Sequence, residues 1–215
     1  MKIKVCGLRE SEDLLSLGNS GIDYMGFVFY EASPRYARYK LDTEVLKLVP
    51  KPVKKVGVFV DADAQEIIDT AEQFNLDVVQ LHGQESPETC ATLRARVRVI
   101  KAFNVDEEAD LNALASPYEP HCDFFLFDAS GIYPGGNGLR FNWELLSRYT
   151  LDTPFFLSGG IGPEHTAELM RIHHPQLHAC DVNSRFELQP GKKNTSQIRF
   201  FVNALKSSAY GLPGY

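Results

Sequence analysis

The sequence is poor in cysteine and lacks the cysteine patterns that hold small folds together. Its four cysteines (Cys6, Cys90, Cys122 and Cys180) are far apart and contain no C-x-x-C pair. This spacing argues against a disulfide framework and against a thiolate zinc site. We therefore expect free thiols and a reducing, cytoplasmic environment.

The sequence also lacks long apolar stretches and clustered positive charge. The apolar run 24–30 is far shorter than the ~20 residues that a membrane-spanning helix needs. Polar residues return at Arg9 and Glu10, so we expect no secretory signal peptide. With 22 Lys and Arg against 28 Asp and Glu, the net charge of −6 disfavours nucleic acid as a partner. We expect no membrane or nucleic-acid partner and, since no interface motif is evident, a monomer.

Strand-like and helix-like segments alternate along the whole chain. Strands are predicted at 3–8, 24–29, 55–60, 77–81, 97–103 and 124–127, within 154–162, and at 179–183. Helices are predicted at 11–17 and 42–49, from Asp61 or Asp63 to about 74, from Ser86, from Asp106, at 142–149, from Pro163, and after Asn194. The strands are mostly continuously apolar, which is typical of a parallel sheet covered by helices.

Eight such units predict one fold, a single (β/α)8 TIM barrel over residues 1–215, because eight parallel strands close a barrel. The alternative is an open, doubly wound sheet. The first strand, however, is not followed by the G-x-G-x-x-G turn of the dinucleotide-binding version of that sheet.

Two late junctions predict a phosphate site. Ser158, Gly159 and Gly160 end an apolar run just before a predicted helix, and glycines there leave backbone amides open to an anion. The stretch from Asp181 to Ser184 ends the next strand. Loops after the seventh and eighth strands form the phosphate site of many barrels.

Polar residues at the carboxyl ends of the strands are the candidates for chemistry, because barrel active sites lie there. They are Lys4, Cys6, Arg35, Gln80, His82, Lys101, Asp128, Ser158, Asp181 and Asn183. Strand alternation predicts that Cys6 and Asp128 face each other across the barrel mouth. A thiol whose pKa is lowered by Lys4 and a carboxyl whose pKa is raised by apolar surroundings would make an acid–base pair.

Each of these residues also has a structural interpretation. Cys6 is otherwise an inert buried thiol, and Asp128 a loop cap. Arg35 either forms a surface salt bridge or clamps a carboxylate with two parallel hydrogen bonds.

A histidine-rich segment is the candidate for a metal site. It contains His173, His174, His178 and Cys180, but Pro175 interrupts any regular ligand face. The spacing matches no recognised ligand pattern, so we expect no metal site.

Nine short motifs together carry a family resemblance. They are Lys4-Val5-Cys6-Gly7-Leu8, Gly26-Phe27-Val28-Phe29, Ser33-Pro34-Arg35, Val56-Gly57-Val58-Phe59-Val60, Gln80-Leu81-His82-Gly83, Phe127-Asp128, Gly135-Gly136-Asn137-Gly138, Phe156-Leu157-Ser158-Gly159-Gly160-Ile161 and Asp181-Val182-Asn183-Ser184. In this combination the chain resembles the phosphoribosylanthranilate isomerases, barrel enzymes of tryptophan biosynthesis.

The resemblance implies a cofactor-free Amadori rearrangement of N-(5-phosphoribosyl)anthranilate to an aminodeoxyribulose phosphate. It implies that Cys6 is the general base at C2 and that Asp128 is the general acid at the ring oxygen. It also implies that Arg35 holds the anthranilate carboxylate. The phosphate would be held by Ser158, Gly159, Gly160, Asn183 and Ser184, and we further expect substrate contacts from Lys4, Gln80, His82 and Gly136.

The chain departs from the family pattern at three places. Arg185-Phe186 stands where Gly-Val is expected, Asn137 where Thr is expected, and Arg9 where Thr is expected. Two other functions stay open. The related ribosyl isomerase of histidine biosynthesis uses an aspartate base on the first strand, where this chain has Cys6, and a silent barrel would bind a phosphorylated metabolite without turnover.

Overall fold

The computed structural model describes residues 1–129 and 140–207. It contains eight parallel strands, β1 (Lys2–Val5), β2 (Tyr24–Val28), β3 (Lys54–Phe59), β4 (Val78–Leu81), β5 (Arg98–Val105), β6 (Phe124–Ala129), β7 (Phe155–Leu157) and β8 (Leu177–Val182). They pair in chain order, and β1 pairs with β8 to close the barrel. The (β/α)8 barrel is confirmed, and the open-sheet alternative is wrong because no strand of this sheet is left at an edge.

The strands are connected by helical segments of unequal length. The α-helices are α1 (Ser11–Gly18), α2 (Thr43–Lys47), α3 (Ala64–Gln73), α4 (Pro87–Arg94), α5 (Leu111–Ala115), α6 (Thr166–Leu169) and α7 (Thr195–Ser207). Turns of 3-10 helix occur at Ser116–His121, Trp143–Arg148, Pro163–His165 and Ser184–Phe186. Among the helices of the described residues, none has the length and apolar character to cross a membrane.

Alternation along the strands separates two apolar layers. The barrel interior is filled by Tyr24, Val56, Val78, Ile100, Ala102, Phe124, Leu126, Phe156 and Ala179. Phe125 and Phe127 point the other way, into the layer between barrel and helices. Each phenylalanine that is fully buried contributes up to about 3 kcal/mol. Asp128 continues the inward row of Phe124 and Leu126, which brings it to the mouth of the barrel.

Local capping explains where several helices begin. The Ser86 side chain accepts a hydrogen bond from the Thr89 amide, with Pro87 at the first helical position, as predicted. Asn194 likewise accepts from the Gln197 amide at the start of α7. The prediction that Asp106 opens the fifth helix is wrong. Asp106 accepts from Glu108 in a turn, and Asp110, which accepts from two amides, caps α5 instead.

A hairpin after the eighth strand was not predicted. Strands β9 (Glu187–Gln189) and β10 (Lys192–Lys193) pair antiparallel, with Lys192 opposite Gln189 and Lys193 opposite Glu187. Strands this short and polar show no alternation of apolar and polar residues that would predict them. Their pairing depends on contacts with the barrel.

Candidate active site

One cavity at the carboxyl ends of the strands brings together most of the predicted site residues. Its lining includes Cys6, Arg35, Gln80, His82, Asp128, Ser158, Gly159, Gly160, Asn183 and Ser184. About 750 Å³ of space free of protein atoms lies in this cavity, and that volume includes the solvent at its open mouth. Lys4 lies beneath this lining, and Gly136 falls outside the described residues. The cavity also contains Asp181 and Arg185.

Cys6 follows the end of β1, and its amide donates to the Val182 carbonyl at 2.8 Å. Its thiol sits beside Lys4 because Gly26 on the neighbouring strand leaves room. A Cβ at Gly26 would lie 2.8 Å from Cys6 Sγ and 3.2 Å from Lys4 Nζ. Cys6 as a whole is 5% exposed, and it contributes to the cavity lining.

Burial raises the pKa of the Cys6 thiol, and the ammonium of Lys4 offsets only part of this effect. The expectation of a pKa lowered by Lys4 is therefore wrong for the ligand-free protein. Burial is the main cause, and Asp181, which accepts a hydrogen bond from Lys4 Nζ at 2.9 Å, raises the pKa of Cys6 further. Burial alone would lower the pKa of Lys4, but Asp181 and Cys6 together hold it above its ordinary value.

Asp128, the next-to-last residue of β6, faces His82, which directly follows β4. His82 Nε2 lies 3.5 Å from Asp128 Oδ2. On its other side, His82 Nδ1 accepts a hydrogen bond from the Gln80 side-chain amide at 3.1 Å. With the Gln80 amide nitrogen as the donor, the proton of a neutral His82 ring is on Nε2, which faces Asp128 without a hydrogen-bond partner among the described residues. Sequence reasoning had named all three residues but not their connection.

The loop after β7 lies directly over Asp128. Gly159 and Gly160 have φ angles of 92° and 58°, which only glycine adopts at low cost. A Cβ at Gly159 would lie 2.6 Å from the Ala129 amide nitrogen and 3.1 Å from Asp128 Oδ1. The amides of Gly159 and Gly160 have no hydrogen-bond partner in residues 1–129 and 140–207. They are available to an anion.

Arg35 does not have a free guanidinium in this structure. Its Nε lies 3.0 Å from Glu187 Oε1, and its Nη2 lies 2.7 Å from Glu187 Oε2. Lys193 Nζ donates to the same carboxylate at 2.8 Å and to Asn183 Oδ1 at 2.9 Å. Sequence reasoning missed Glu187 and Lys193, because each stands in a short polar stretch beside Pro190-Gly191. The only available signal was that turn, which indicates a hairpin when strands flank it.

Arg185, one of the departures from the family pattern, connects the two predicted phosphate loops. Its Nη2 lies 3.1 Å from Glu164 Oε1, and its Nε donates to the Gly160 carbonyl at 3.4 Å. The side chain is 47% exposed and lies at the rim of the cavity. It therefore adds positive charge next to the unpaired amides.

Comparison with known proteins matches this fold and cavity to one family. A family model described as N-(5'phosphoribosyl)anthranilate (PRA) isomerase matches residues 3–204. A relative from Phocaeicola vulgatus with the name N-(5'-phosphoribosyl)anthranilate isomerase is 40% identical over 207 residues, which cover 96% of this chain and 98% of the relative.

Solved structures are similar over nearly the whole chain. A monomeric form of the dimeric phosphoribosylanthranilate isomerase from Thermotoga maritima has a TM-score of 0.77 at 33% identity, covering 96% of this chain and 99% of that one. An isomerase in complex with reduced 1-(o-carboxyphenylamino)-1-deoxyribulose 5-phosphate has a TM-score of 0.77 at 32% identity, with the same coverage of 96% and 99%. With its family model, its relative and its fold in agreement, this chain belongs to the N-(5'-phosphoribosyl)anthranilate isomerase family.

Proposed function

We propose that this chain catalyses the Amadori rearrangement of N-(5-phosphoribosyl)anthranilate to 1-(2-carboxyphenylamino)-1-deoxyribulose 5-phosphate in tryptophan biosynthesis. The observation that carries the proposal is the shared cavity of Cys6 and Asp128, lined at one end by the Gly159-Gly160 loop. A thiol, a carboxyl and open amides match the two proton transfers and the phosphate of this substrate.

The substrate would bind through its two anionic ends. The phosphate accepts hydrogen bonds from the amides of Gly159 and Gly160 and from the loop at Asn183-Ser184. The carboxylate meets Arg35, whose Nη1 has no hydrogen-bond partner within the described residues. This orientation places the ribose between Cys6 and Asp128.

The chemistry then requires one proton added and one removed to reach the enolamine, and one more of each to reach the ketone. Asp128 protonates the ring oxygen as the C1–O bond breaks, and the electron pair of the anthranilate nitrogen forms an iminium at C1. Cys6, as thiolate, removes the C2 proton, and the electrons of that bond form an enolamine. The enolamine takes a proton at C1 and loses the O2 proton, which gives the ketone. C1 is reduced as C2 is oxidised, so the reaction consumes no external oxidant.

Steady-state turnover of N-(5-phosphoribosyl)anthranilate tests the proposal. Cys6→Ser and Asp128→Asn should each lower kcat by at least ~10²-fold, as loss of a general base or acid does. Cys90→Ala, at a buried thiol outside the cavity, is the matched control and should keep its kcat. Binding of the substrate without conversion by the wild-type protein would contradict the proposal and favour a silent binding barrel.

A pair of glycine variants tests the phosphate loop. Gly159→Ala would place a Cβ against the Ala129 amide and should raise KM by about tenfold or more. Gly21→Ala is matched in backbone strain, since its φ of 89° resembles the 92° of Gly159, but it lies far from the cavity. Gly21→Ala should lower the stability of the protein and leave KM unchanged. Equal KM values for the two variants would place the phosphate elsewhere.

Two further expectations are part of this proposal. We expect the protein to act as a monomer, in contrast to the T. maritima relative described as dimeric, and in the cytoplasm. Sedimentation velocity at several concentrations tests the first, and a dimer that persists on dilution would contradict it. Fractionation of the source cells tests the second.

A further inference from the structure

The hairpin β9–β10 brings two charged side chains into contact with residues of the cavity. The side chains of Glu187 and Lys193 are 4% and 0% exposed, although residues 188–190 between them are exposed. Both charges are therefore buried at the site, where unpaired charge is costly. Their contacts are to residues of the cavity, namely Arg35 and Asn183.

These residues converge on the backbone next to Cys6. A Cβ at Gly7, whose φ is 73°, would lie 2.6 Å from Asn183 Oδ1, 2.8 Å from Arg35 Cδ and 3.3 Å from Lys193 Nζ. Gly7 thus lets the hairpin side chains pack within reach of the reacting thiol. The hairpin is part of the site and not a surface addition.

The charges in this cluster do not balance. Arg35 and Lys193 supply two positive charges, while Glu187 supplies one negative charge between them. The nearby pair Lys4–Asp181 is neutral overall. Burial lowers the pKa of Lys193, and Glu187 offsets only part of that effect. The cluster is therefore set to receive one more anion.

The geometry at Arg35 shows where that anion would go. Glu187 holds the edge of the guanidinium formed by Nε and Nη2. The edge formed by Nη1 and Nη2 remains, and it has the fork shape that binds a carboxylate with two parallel hydrogen bonds. An arginine without Glu187 would sample several rotamers and lose this orientation.

We propose that Glu187 and Lys193 are positioning residues that make the site specific for an aryl group with a carboxylate. Glu187 fixes the guanidinium of Arg35 so that its remaining edge meets the substrate carboxylate. Lys193 holds Glu187 in place and ties it to Asn183. This inference rests on the proposed function, because it assigns the aryl carboxylate to Arg35.

Calorimetric binding of two ligands tests the inference. One ligand is reduced 1-(o-carboxyphenylamino)-1-deoxyribulose 5-phosphate, and the other is the same molecule without its carboxyl group. Glu187→Gln should weaken the first ligand by about tenfold or more, the range of a charge-assisted bidentate contact, and should change the second by less than about twofold. Leu188→Ser, at an exposed neighbour on β9, is the matched control and should change neither.

Conservative variants separate orientation from charge and from folding. Glu187→Asp keeps the charge but shortens the reach, so it should also lose affinity for the carboxylated ligand alone. Lys193→Met should show the same selective loss, and Lys193→Arg should restore part of the affinity. A double-mutant cycle of Glu187→Gln with Arg35→Lys should show no additional loss, because both changes remove one contact.

Three outcomes would overturn the inference. A gain in affinity for the carboxylated ligand in Glu187→Gln would make Glu187 a competitor of the substrate. Equal losses for both ligands would indicate that Glu187 has only a structural role. Full affinity for the carboxylated ligand in Glu187→Asp would indicate that only the charge of Glu187 matters, not its position. A wild-type protein that binds both ligands but never turns over the substrate would contradict the proposed function and leave the ligand comparison intact.

Discussion

The Nε2 atom of His82 faces Asp128 Oδ2 at 3.5 Å while Gln80 holds the opposite ring nitrogen. With its amide nitrogen as the donor, Gln80 fixes the tautomer of His82 whose Nε2–H faces the proposed general acid. We predict that Gln80→Leu lowers kcat by about tenfold with a smaller change in KM, because the imidazole loses its fixed tautomer. Steady-state kinetics across pH would measure this.

The control for the Gln80 prediction is the neighbouring Gln84, which is exposed and outside the cavity. Gln84→Leu should keep the wild-type kcat. A loss in Gln80→Leu as large as that of Asp128→Asn would mean that Gln80 is needed for the chemistry itself. No loss at all would mean that the tautomer of His82 is unimportant.

The raised pKa of Cys6 predicts a pH dependence. A raised pKa means that the neutral thiol dominates near neutrality and that the thiolate fraction grows as the pH rises. The rate of alkylation of Cys6 by iodoacetamide, followed by mass spectrometry, should therefore increase through and beyond the ordinary thiol range. Lys193→Met should move this increase to still higher pH, because Lys193 lowers the pKa of Cys6.

Cys6→Ala provides the blank for this experiment, since the other three cysteines are also buried. Substrate or product at saturating concentration should protect Cys6. A thiol that alkylates fully below pH 7, or a Lys193→Met profile that coincides with the wild type, would contradict the assignment.

Arg185 predicts a salt-dependent contribution to substrate binding. Its guanidinium lies at the cavity rim between Glu164 and the Gly160 carbonyl, where it is half-exposed. Arg185→Gln should raise KM two- to fourfold, about what one solvent-exposed charge contributes, with kcat unchanged. The salt dependence of KM should also become shallower, because screening acts most on exposed charges.

Arg171→Gln, an exposed arginine outside the cavity, is the matched control for Arg185 and should keep the wild-type KM. Removing its partner through Glu164→Gln should leave KM unchanged or lower it. If Arg185→Gln had the wild-type KM at low salt, Arg185 would serve only to join the two loops.

His178 predicts how stability depends on pH. Its Nε2 lies 2.8 Å from Tyr24 Oη, and its ring packs 4.6 Å from that of Phe124. Burial lowers the pKa of His178 to about 4, against about 6.5 in the unfolded chain. As the pH falls, His178 is therefore protonated in the unfolded chain before it is protonated in the folded protein. Its contribution to the free energy of unfolding is fully present above pH 6.5 and is lost as the pH falls toward 4. We expect a loss of about 1–2 kcal/mol, since the ring is only partly buried.

Urea denaturation at pH 7 and pH 5 measures this effect. His178→Gln should lose less unfolding free energy between the two pH values than the wild type, while exposed His173→Gln should lose as much. Identical losses in wild type and His178→Gln would show that other groups cause the decline.

Much of this protein can be read from its sequence, because the relevant physics is local. Continuous apolar strands alternating with capped helices predict the barrel, and the position of each strand end predicts which polar residues reach its mouth. Ser86 and Pro87 specify a helix start through their own hydrogen-bonding and backbone limits. The glycines at 159 and 160 likewise indicate exposed amides before any fold is known.

Tertiary structure decided what depends on residues far apart in the chain. The pairing of Arg35 with Glu187 joins positions separated by 152 residues, and no local pattern encodes it. The pKa of Cys6 was misjudged for the same reason, since it depends first on burial and then on Asp181, which stands beside Lys4 on the neighbouring strand β8. Local propensity determines where strands and helices form. Burial and electrostatic pairing depend on all the residues around a group, and only the closed barrel brings those residues together.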